Sequence, residues 1–391
     1  MKAMSVMLFF GLFFAAYGLI NYYIFLHGWQ AFPAGSPLRT PYLIIFLFLA
    51  LAFIGGRFLE RVWLSPVSEA LVWIGSFWLA AILYFFLAAV LLDLIRLAHS
   101  LIPFYPAAVT SAYDAVKFRI AAGITGLVVL VLVAGHINTL YPQVRHLVLT
   151  VQKKVGGEKT LTIVAVSDIH LGTIIGERRL QSIVDRINAL EPDLVLLPGD
   201  IVDEDLAPVV RENLGETLKN IRAKYGVFAI TGNHEYIGGA EAACRYLTEH
   251  GITILRDSVA RLRNGIAIVG REDISRSQFA GKKRKPLEEI MAGVDPTFPI
   301  LLMDHQPFRL DEGVRSGADL QLSGHTHHGQ LWPLNLITNA VYEVSWGYKR
   351  KGGTHIYVSS GAGTWGPPVR TGNRPEIVHI TLHFEDPPGR L

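Results

Sequence analysis

In the second half of this 391-residue chain, apolar runs end repeatedly in side chains that can hold a transition metal. VAVSDIH delivers Asp168 and His170, LLPGD delivers Asp200, and AITGNHE delivers Asn233 and His234. LLMDH then delivers His305, and QLSGHTH delivers His325 and His327. In open α/β sheets the crevice outside the carboxyl ends of the strands gathers residues that are far apart in sequence. Asp168, Asp200, Asn233, His170, His305, His325 and His327 would bring two carboxylates, an amide oxygen and four imidazoles to one place. That mixture of hard and borderline donors suits Mn, Fe, Zn or Co better than Ca or Mg. It exceeds the need of one ion. It suits two ions about 3.5 to 4 Å apart with one carboxylate bridging, an arrangement that clamps the attacking and leaving oxygens of a phosphoester.

A lone D-x-H or G-D is common in turns, because Asp tolerates tight backbone and hydrogen-bonds locally. The blocks gain meaning from their joint presence and their order. GHTHHGQ, residues 324 to 330, is read as an extended loop in which the alternate His325 and His327 face the same way and serve two adjacent ions. By the same alternation His328 faces away, towards solvent or the support of the site, with contact to substrate as the alternative. Glycines on either side let the backbone approach the metals closely.

The series Asp168-Ile169-His170, Gly199-Asp200, Gly232-Asn233-His234-Glu235, His305 and Gly324-His325-Thr326-His327 resembles the calcineurin-like metallophosphoesterases in order and strand context, across roughly 160 residues. The resemblance implies that Asp168, His170 and His327 bind one metal, that Asp200 bridges, and that Asn233, His305 and His325 hold a second. It implies that His234 faces the substrate as a proton donor or transition-state stabiliser and that Asp203 orients His234. The implied fold is a four-layer αββα sandwich. Protein phosphatases of that superfamily carry a phosphate-gripping arginine after the bridging Asp, in a GDxVDRG pattern. Here Glu204 replaces it. An acidic residue there disfavours a dianionic monoester, so a phosphodiester or pyrophosphate is expected. The tail GAGTWGPPVRTGNRPE resembles a segment of membrane-associated bacterial phosphodiesterases, where Arg370 either supplies the missing cation or forms a structural ion pair.

The elements that must position these groups occupy residues 145–391, where short β-branched runs alternate with amphipathic stretches, an α/β pattern. HLVLTVQ, KKVGGEKT and LTIVAVSD read as an entry hairpin. Helices are expected near 178–190, 208–223 and 239–250, and the later strands predict a second, partly antiparallel sheet. Residues 1–144 are a different substance, an all-α transmembrane domain with uncharged runs at about 5–26, 42–56, 70–92 and 120–144. They carry almost all of the excess hydrophobicity behind the 50% hydrophobic content and the mean hydropathy of +0.33. A span needs roughly 20 apolar residues. Four spans are predicted, or three if the short second run is tilted or re-entrant. A multi-pass protein of the cell membrane follows, with the bilayer as a partner. Lys2, Arg57, Arg61, Arg145, Lys153 and Lys154 would lie on one side and Arg39, Arg96, Lys117 and Arg119 on the other, which leaves the side of residues 145–391 open.

Lys plus Arg of 36 against Asp plus Glu of 33, with no basic patch beyond the solvated run KKRK at 282–285, gives no footprint for nucleic acid. The single Cys244 excludes an internal disulfide and reads as a buried apolar residue. His136, His146, His250, His355 and His379 lie outside the series and read as structural or exposed.

The leading expectation is a membrane-anchored, dinuclear-metal phosphoester hydrolase. The alternative is a metal-binding sensor or transporter. Spans almost free of ionisable groups and a histidine beside Asn233 that metal storage does not need argue against it. Only a short connection separates the last apolar run from Asp168, and Leu331, Trp332, Leu334, Ile337, Trp346 and Tyr348 could form an apolar rim. A lipid-linked or membrane-proximal phosphoester is therefore expected as substrate, the alternative being that the rim residues pack beneath the second sheet and the spans only localise a hydrolase of soluble esters.

Overall fold

A computed structural model describes residues 2–153 and 155–385, with residues 2–10 as backbone alone, so Lys154 lies outside the described residues. The chain divides into two compact units, Met1–Gly135 and His136–Leu391.

The first unit is helical: α1 (Lys2–Ala31), α2 (Arg39–Val62), α3 (Pro66–Leu101) and α4 (Tyr113–Thr139), the last of which runs on into the second unit. Ser65 starts α3 with a reciprocal capping box to Ser68, and Pro66 supplies a preset φ at the first turn. Among the described residues α2, α3 and α4 are long and apolar enough to cross a membrane. The second run lies within one continuous helix of 24 residues, α2, rather than a helix broken by a re-entrant loop. The apolar run stops at Gly55-Gly56, but the helix continues past it, and Arg57 pairs with Glu60 one turn on at 3.1 Å. Gly56 serves packing. A Cβ on Gly56 would meet the backbone of Val72, and one on Gly75 the backbone of Phe53, so α2 and α3 touch backbone to backbone.

The second unit holds two six-stranded sheets. The first is ordered β1 (Gln143–Val151), β12 (Glu376–Phe384), β2 (Thr160–Ala165), β3 (Leu194–Pro198), β4 (Val227–Ile230) and β5 (Thr253–Ile254). The second runs β10 (Gly347–Lys351), β11 (Thr354–Val358), β9 (Leu320–Ser323), β8 (Ile300–Met303), β7 (Ala267–Gly270) and β6 (Ser258–Arg261). The strands β2 to β5 are parallel, as are β7, β8, β9 and β11, while β10 and β6 add antiparallel edges. The expected entry hairpin is absent. β1 pairs in parallel with β12, which inserts between β1 and β2 and runs antiparallel to β2. A two-residue turn would have forced direct pairing, whereas the longer stretch from residue 152 to 159 spans two strand spacings, about 10 Å.

Leu161, Ile163, Leu196, Ile268, Leu301 and Leu320 belong to the core shared by the two sheets and are essentially inaccessible. Alternation puts Val269 and Leu302 on the other face of the second sheet, under Leu287 and Ile290 of the helix Leu287–Met291. The helix α5 (Glu177–Ala189) buries Leu180, Ile183, Val184 and Ile187, the i, i+3, i+4, i+7 stripe of an amphipathic helix. The helix expected near 208–223 is two, Ala207–Arg211 and Leu214–Leu218, because Asn213 sits between them at φ 53°. KKRK is only partly solvated, since Arg284 turns inward to Asp304 at 2.8 Å. Cys244 is buried on the helix Ala240–Glu249, and burial pushes its thiol up to about 12. The four-layer expectation is met: two mixed sheets face each other with helices outside.

Candidate metal centre

Every predicted ligand leaves the carboxyl end of a parallel strand. β2 leads to Asp168 and His170, β3 to Asp200, β4 to Asn233, β8 to His305 and β9 to His325 and His327. The loops brace one another through their backbone: Asp168 N–H donates to Gly199 O at 3.1 Å, His170 N–H to Asp200 O at 3.0 Å, and Gly324 N–H to His305 O at 2.9 Å. Asp168, His170, Asp200, His325 and His327 all have left-handed backbone, with φ between 46° and 70°. For a residue other than glycine that conformation costs about 1 to 2 kcal/mol, and it turns each side chain sharply off its strand end. The extended reading of the H-x-H loop is therefore wrong. His327–Gly329 form a single 3₁₀ turn, and two left-handed histidines, rather than strand alternation, aim the rings. His328 does face away, with Nδ1 at 3.1 Å from Ser345 Oγ and its ring 5.2 Å from that of Trp346.

Two groups of donors result. Asp168, His170 and His327 converge in one, with the Nε2 atoms of the two histidines 3.0 Å apart and Asp168 Oδ1 at 3.5 Å from His327 Nε2. Asp200, His305 and His325 converge in the other. Asn233 joins it, its Oδ1 at 2.7 Å from His325 Nδ1 and 3.2 Å from His305 Nε2. Asp200 Oδ2 touches both groups, at 3.0 Å from His305 Nε2 and 3.9 Å from His170 Nε2. The donor set fits divalent ions. The buried Asp168 Oδ2 lacks a hydrogen-bond partner, which an ion at this place would satisfy.

Support comes from further out. Asp203 Oδ1 lies 3.0 Å from His234 Nδ1 and 3.6 Å from His170 Nδ1, close to both although neither nitrogen meets it with good hydrogen-bond geometry. Asp200 Oδ1 accepts from His234 N–H, and Asp168 Oδ1 from His325 N–H, both at 2.9 Å, so these carboxylates also pin the neighbouring loops. Gly324 leaves no room for a Cβ beside Asp168 Oδ2.

Glu235 received no role from the sequence, and the structure gives it a large one. Its buried carboxylate accepts the backbone N–H of Gly232 at 2.7 Å, Val202 at 2.9 Å and Asp200 at 3.1 Å, tying the GD loop to the GNHE loop. Its position three residues after Gly232 is the capping-box spacing and was the available signal. Trp365 and Tyr342, also missed, flank the histidines, with ring centres 6.1 Å from His234 and 6.2 Å from His325.

Arg370 is wholly buried and cannot reach out to grip phosphate. It donates to the carbonyls of Ser360 and Gly363 and to Asn373 Oδ1, and its Nη2 lies 3.0 Å from His327 Nδ1. Of its two expected roles the structural one stands, although its partners are carbonyls, an amide and an imidazole rather than a carboxylate.

Electrostatics sorts the ionisable groups. Burial alone would raise the Asp200 carboxyl, but the surrounding His305, His234 and His170 overturn that and hold it well below the carboxylate range. Burial raises Asp168. Burial would lower His234, yet Asp200 and Asp203 raise it to about 9. His305, likewise against its burial, is raised by Asp200 and Asp168. His325 is pushed down to about 3 by burial and by the charge of His305, and His327 is lowered by burial and by His170. The five histidines read as outside the series are structural or exposed: His136 bonds Pro368 O, His250 bonds Tyr246 O, His355 bonds Thr150 O, and His146 and His379 lie side by side on β1 and β12.

Around the site lies exposed apolar surface. The helix α6 (Leu334–Val341) presents Leu336, Ile337 and Val341, and Trp332, Trp346, Tyr348 and Trp365 are also exposed, whereas Leu331 is buried. Most of the predicted rim therefore does not pack beneath the second sheet.

Residues 161–329 match the family model described as calcineurin-like phosphoesterase. An uncharacterized metallophosphoesterase of Helicobacter pylori is 36% identical over 230 residues, which are 58% of this chain and 60% of that protein. A transmembrane protein with metallophosphoesterase domain from Danio rerio is 32% identical over 266 residues, covering 64% of this chain and 60% of that one. The uncharacterized metallophosphoesterase YkuE of Bacillus subtilis is 32% identical over 236 residues, 56% of this chain and 78% of its own length. The chain thus spans about 60% of the length of the Helicobacter and Danio relatives.

Proposed function

The chain belongs to the calcineurin-like metallophosphoesterases, and we propose that it is a multi-pass membrane protein hydrolysing a phosphodiester or pyrophosphate bond with two divalent ions. The observation that carries the reading is the meeting of Asp168, His170 and His327 with Asp200, His305 and His325 around the shared Asp200 Oδ2. Two such ions supply a lowered water pKa and a clamp for the oxygens around phosphorus. Asp168, His170 and His327 would hold one of them and Asn233, His305 and His325 the other, with Asp200 beside both groups. His234, protonated at neutral pH by the pull of Asp200 and Asp203, donates a proton to the leaving oxygen. Asp203 keeps its ring in place. Glu204, whose charge His234 also feels, disfavours a second negative charge on the substrate and so favours a diester over a monoester.

The substrate is lipid-linked in this reading. Support comes from the exposed Trp332, Leu336, Ile337 and Val341 beside the site, in a chain whose other unit carries helices long enough for a bilayer. The experiment assays full-length protein in phospholipid vesicles with Mn against a lipid-linked diester and bis(p-nitrophenyl) phosphate, before and after EDTA. Hydrolysis that EDTA abolishes, with the lipid-linked ester preferred and Trp332→Ala weakening only that preference, is expected. Turnover that survives complete chelation contradicts the hydrolase chemistry. Equal use of both esters, unchanged by Trp332→Ala, contradicts the lipid-linked substrate.

A further inference from the structure

The helical unit contains a cavity of about 760 Å³ that the phosphoesterase chemistry does not use. Its wall comes from one end of the unit only: the last turns of α1 from Ile24, the first turns of α2 up to Leu49, the later part of α3 from Trp78 to Arg96, and the first half of α4 up to Thr125. Loose packing does not explain it, because α2 and α3 meet backbone to backbone at Gly56 and Gly75 in the same unit. The lining is apolar over most of its depth, with Phe46, Trp78, Phe85, Ala89, Ala121 and Ile124.

Its outer end is polar, with His27, Gln30, Arg96, Tyr105, Tyr113 and Lys117. On α4 the distance from Lys117 to Thr125 is eight residues, about 12 Å of helix at 1.5 Å per residue. That is close to half of a hydrocarbon core of about 30 Å, the depth of one leaflet. The segments 27–41 and 92–119, which form this end, carry Arg39, Arg96, Lys117 and Arg119 against two acidic residues in sequence, Asp93 and Asp114. The cations at the mouth are held in place by those acids, Arg96 by Asp93 at 3.1 Å and Lys117 by Asp114 at 2.8 Å.

We infer that this cavity binds one anionic glycerophospholipid from the adjoining leaflet, an acyl chain lying between α3 and α4 and the headgroup phosphate meeting Arg96 and Lys117. An apolar cleft of this size lies in the range of ligand sites, and surplus positive charge at headgroup depth selects an anionic lipid over a zwitterionic one. Aromatic Tyr105 and Tyr113 sit where amphipathic rings prefer the interface.

The test uses full-length protein in phosphatidylcholine vesicles with a trace of phosphatidylglycerol bearing a diazirine on one chain. Photolysis followed by peptide mapping should place the label on the cavity residues of α3 and α4. Unlabelled phosphatidylglycerol should displace it at least fivefold more effectively than added phosphatidylcholine. Ala89→Trp, which fills the cavity, should cut cavity labelling at least fivefold, and Arg96→Gln with Lys117→Gln should remove the headgroup preference while leaving labelling in place. Label spread evenly over the outward Leu91, Leu94 and Val129, or equal displacement by both lipids in the unaltered protein, would overturn the proposal whether or not the variants fold.

Discussion

Among the described residues of the helical unit only glycine adopts a left-handed backbone, and the buried Gly56 and Gly75 there serve close packing of α2 and α3. Among the described residues of the sheet unit eleven other than glycine are left-handed, and five of them, Asp168, His170, Asp200, His325 and His327, are candidate ligands. The contrast shows where irregular backbone can be sustained. Apolar helices satisfy their own backbone polar groups and need only packing. Strand-end loops instead carry several left-handed residues at about 1 to 2 kcal/mol each, and they keep this shape because the strands feeding them are buried on both faces and their loops are cross-braced. Local strain of this kind gathers at functional sites.

The comparison breaks most visibly at Asp200. Asp200→Asn should empty both metal sites and lower kcat by more than about 100-fold, beyond the loss typical of a supporting residue, with metal analysis as the readout. Retention of two ions per chain would show that Asp200 is not shared. His234→Ala should keep both ions and lose rate by about 10²-fold or more; a metal-free variant, or one as fast as the parent, would assign His234 a different role. Glu235→Ala leaves three backbone N–H groups without their acceptor and should cost about 3 kcal/mol of stability in urea unfolding. A loss below about 1 kcal/mol would mean that the loops hold themselves.

Ion uptake should follow pH in a fixed direction. His305 is raised above its ordinary value and is protonated at neutral pH in the ion-free protein, yet a ligand must be neutral. Binding therefore releases a proton, and affinity should rise by about tenfold per pH unit for each proton released until His305 titrates. Calorimetry in buffers of different ionisation enthalpy measures that proton, and buffer-independent heats would contradict it. The smallest effect belongs to a left-handed residue outside the site. Glu191, exposed at φ 48° just after α5, should accept glycine with a gain of about 1 kcal/mol and no change in activity. A loss of stability there would deny that the backbone is strained.

The candidate site was legible because its chemistry is written in residue types at strand ends: Asp168 through His327 could be named, and the sheets that gather them anticipated, from short apolar runs ending in donors. Local backbone was not. Nothing in GHTHHGQ says that histidines will take φ values usually left to glycine, since only the closed set of loops enforces it. The partner of β1 was illegible for a similar reason, because β12 arrives from more than 200 residues downstream and displaces the local hairpin. Glu235 escaped notice because two of its three partners, the N–H groups of Asp200 and Val202, lie on another loop, and for Arg370 only its burial decides between the two expected roles.

The central claim is that two ions share Asp200. Anomalous diffraction from crystals grown with Mn measures this directly. The account predicts two peaks per chain about 3.5 to 4 Å apart, one against Asp168, His170 and His327, the other against Asn233, His305 and His325, with Asp200 touching both. A single peak, or two peaks without Asp200 between them, would contradict it.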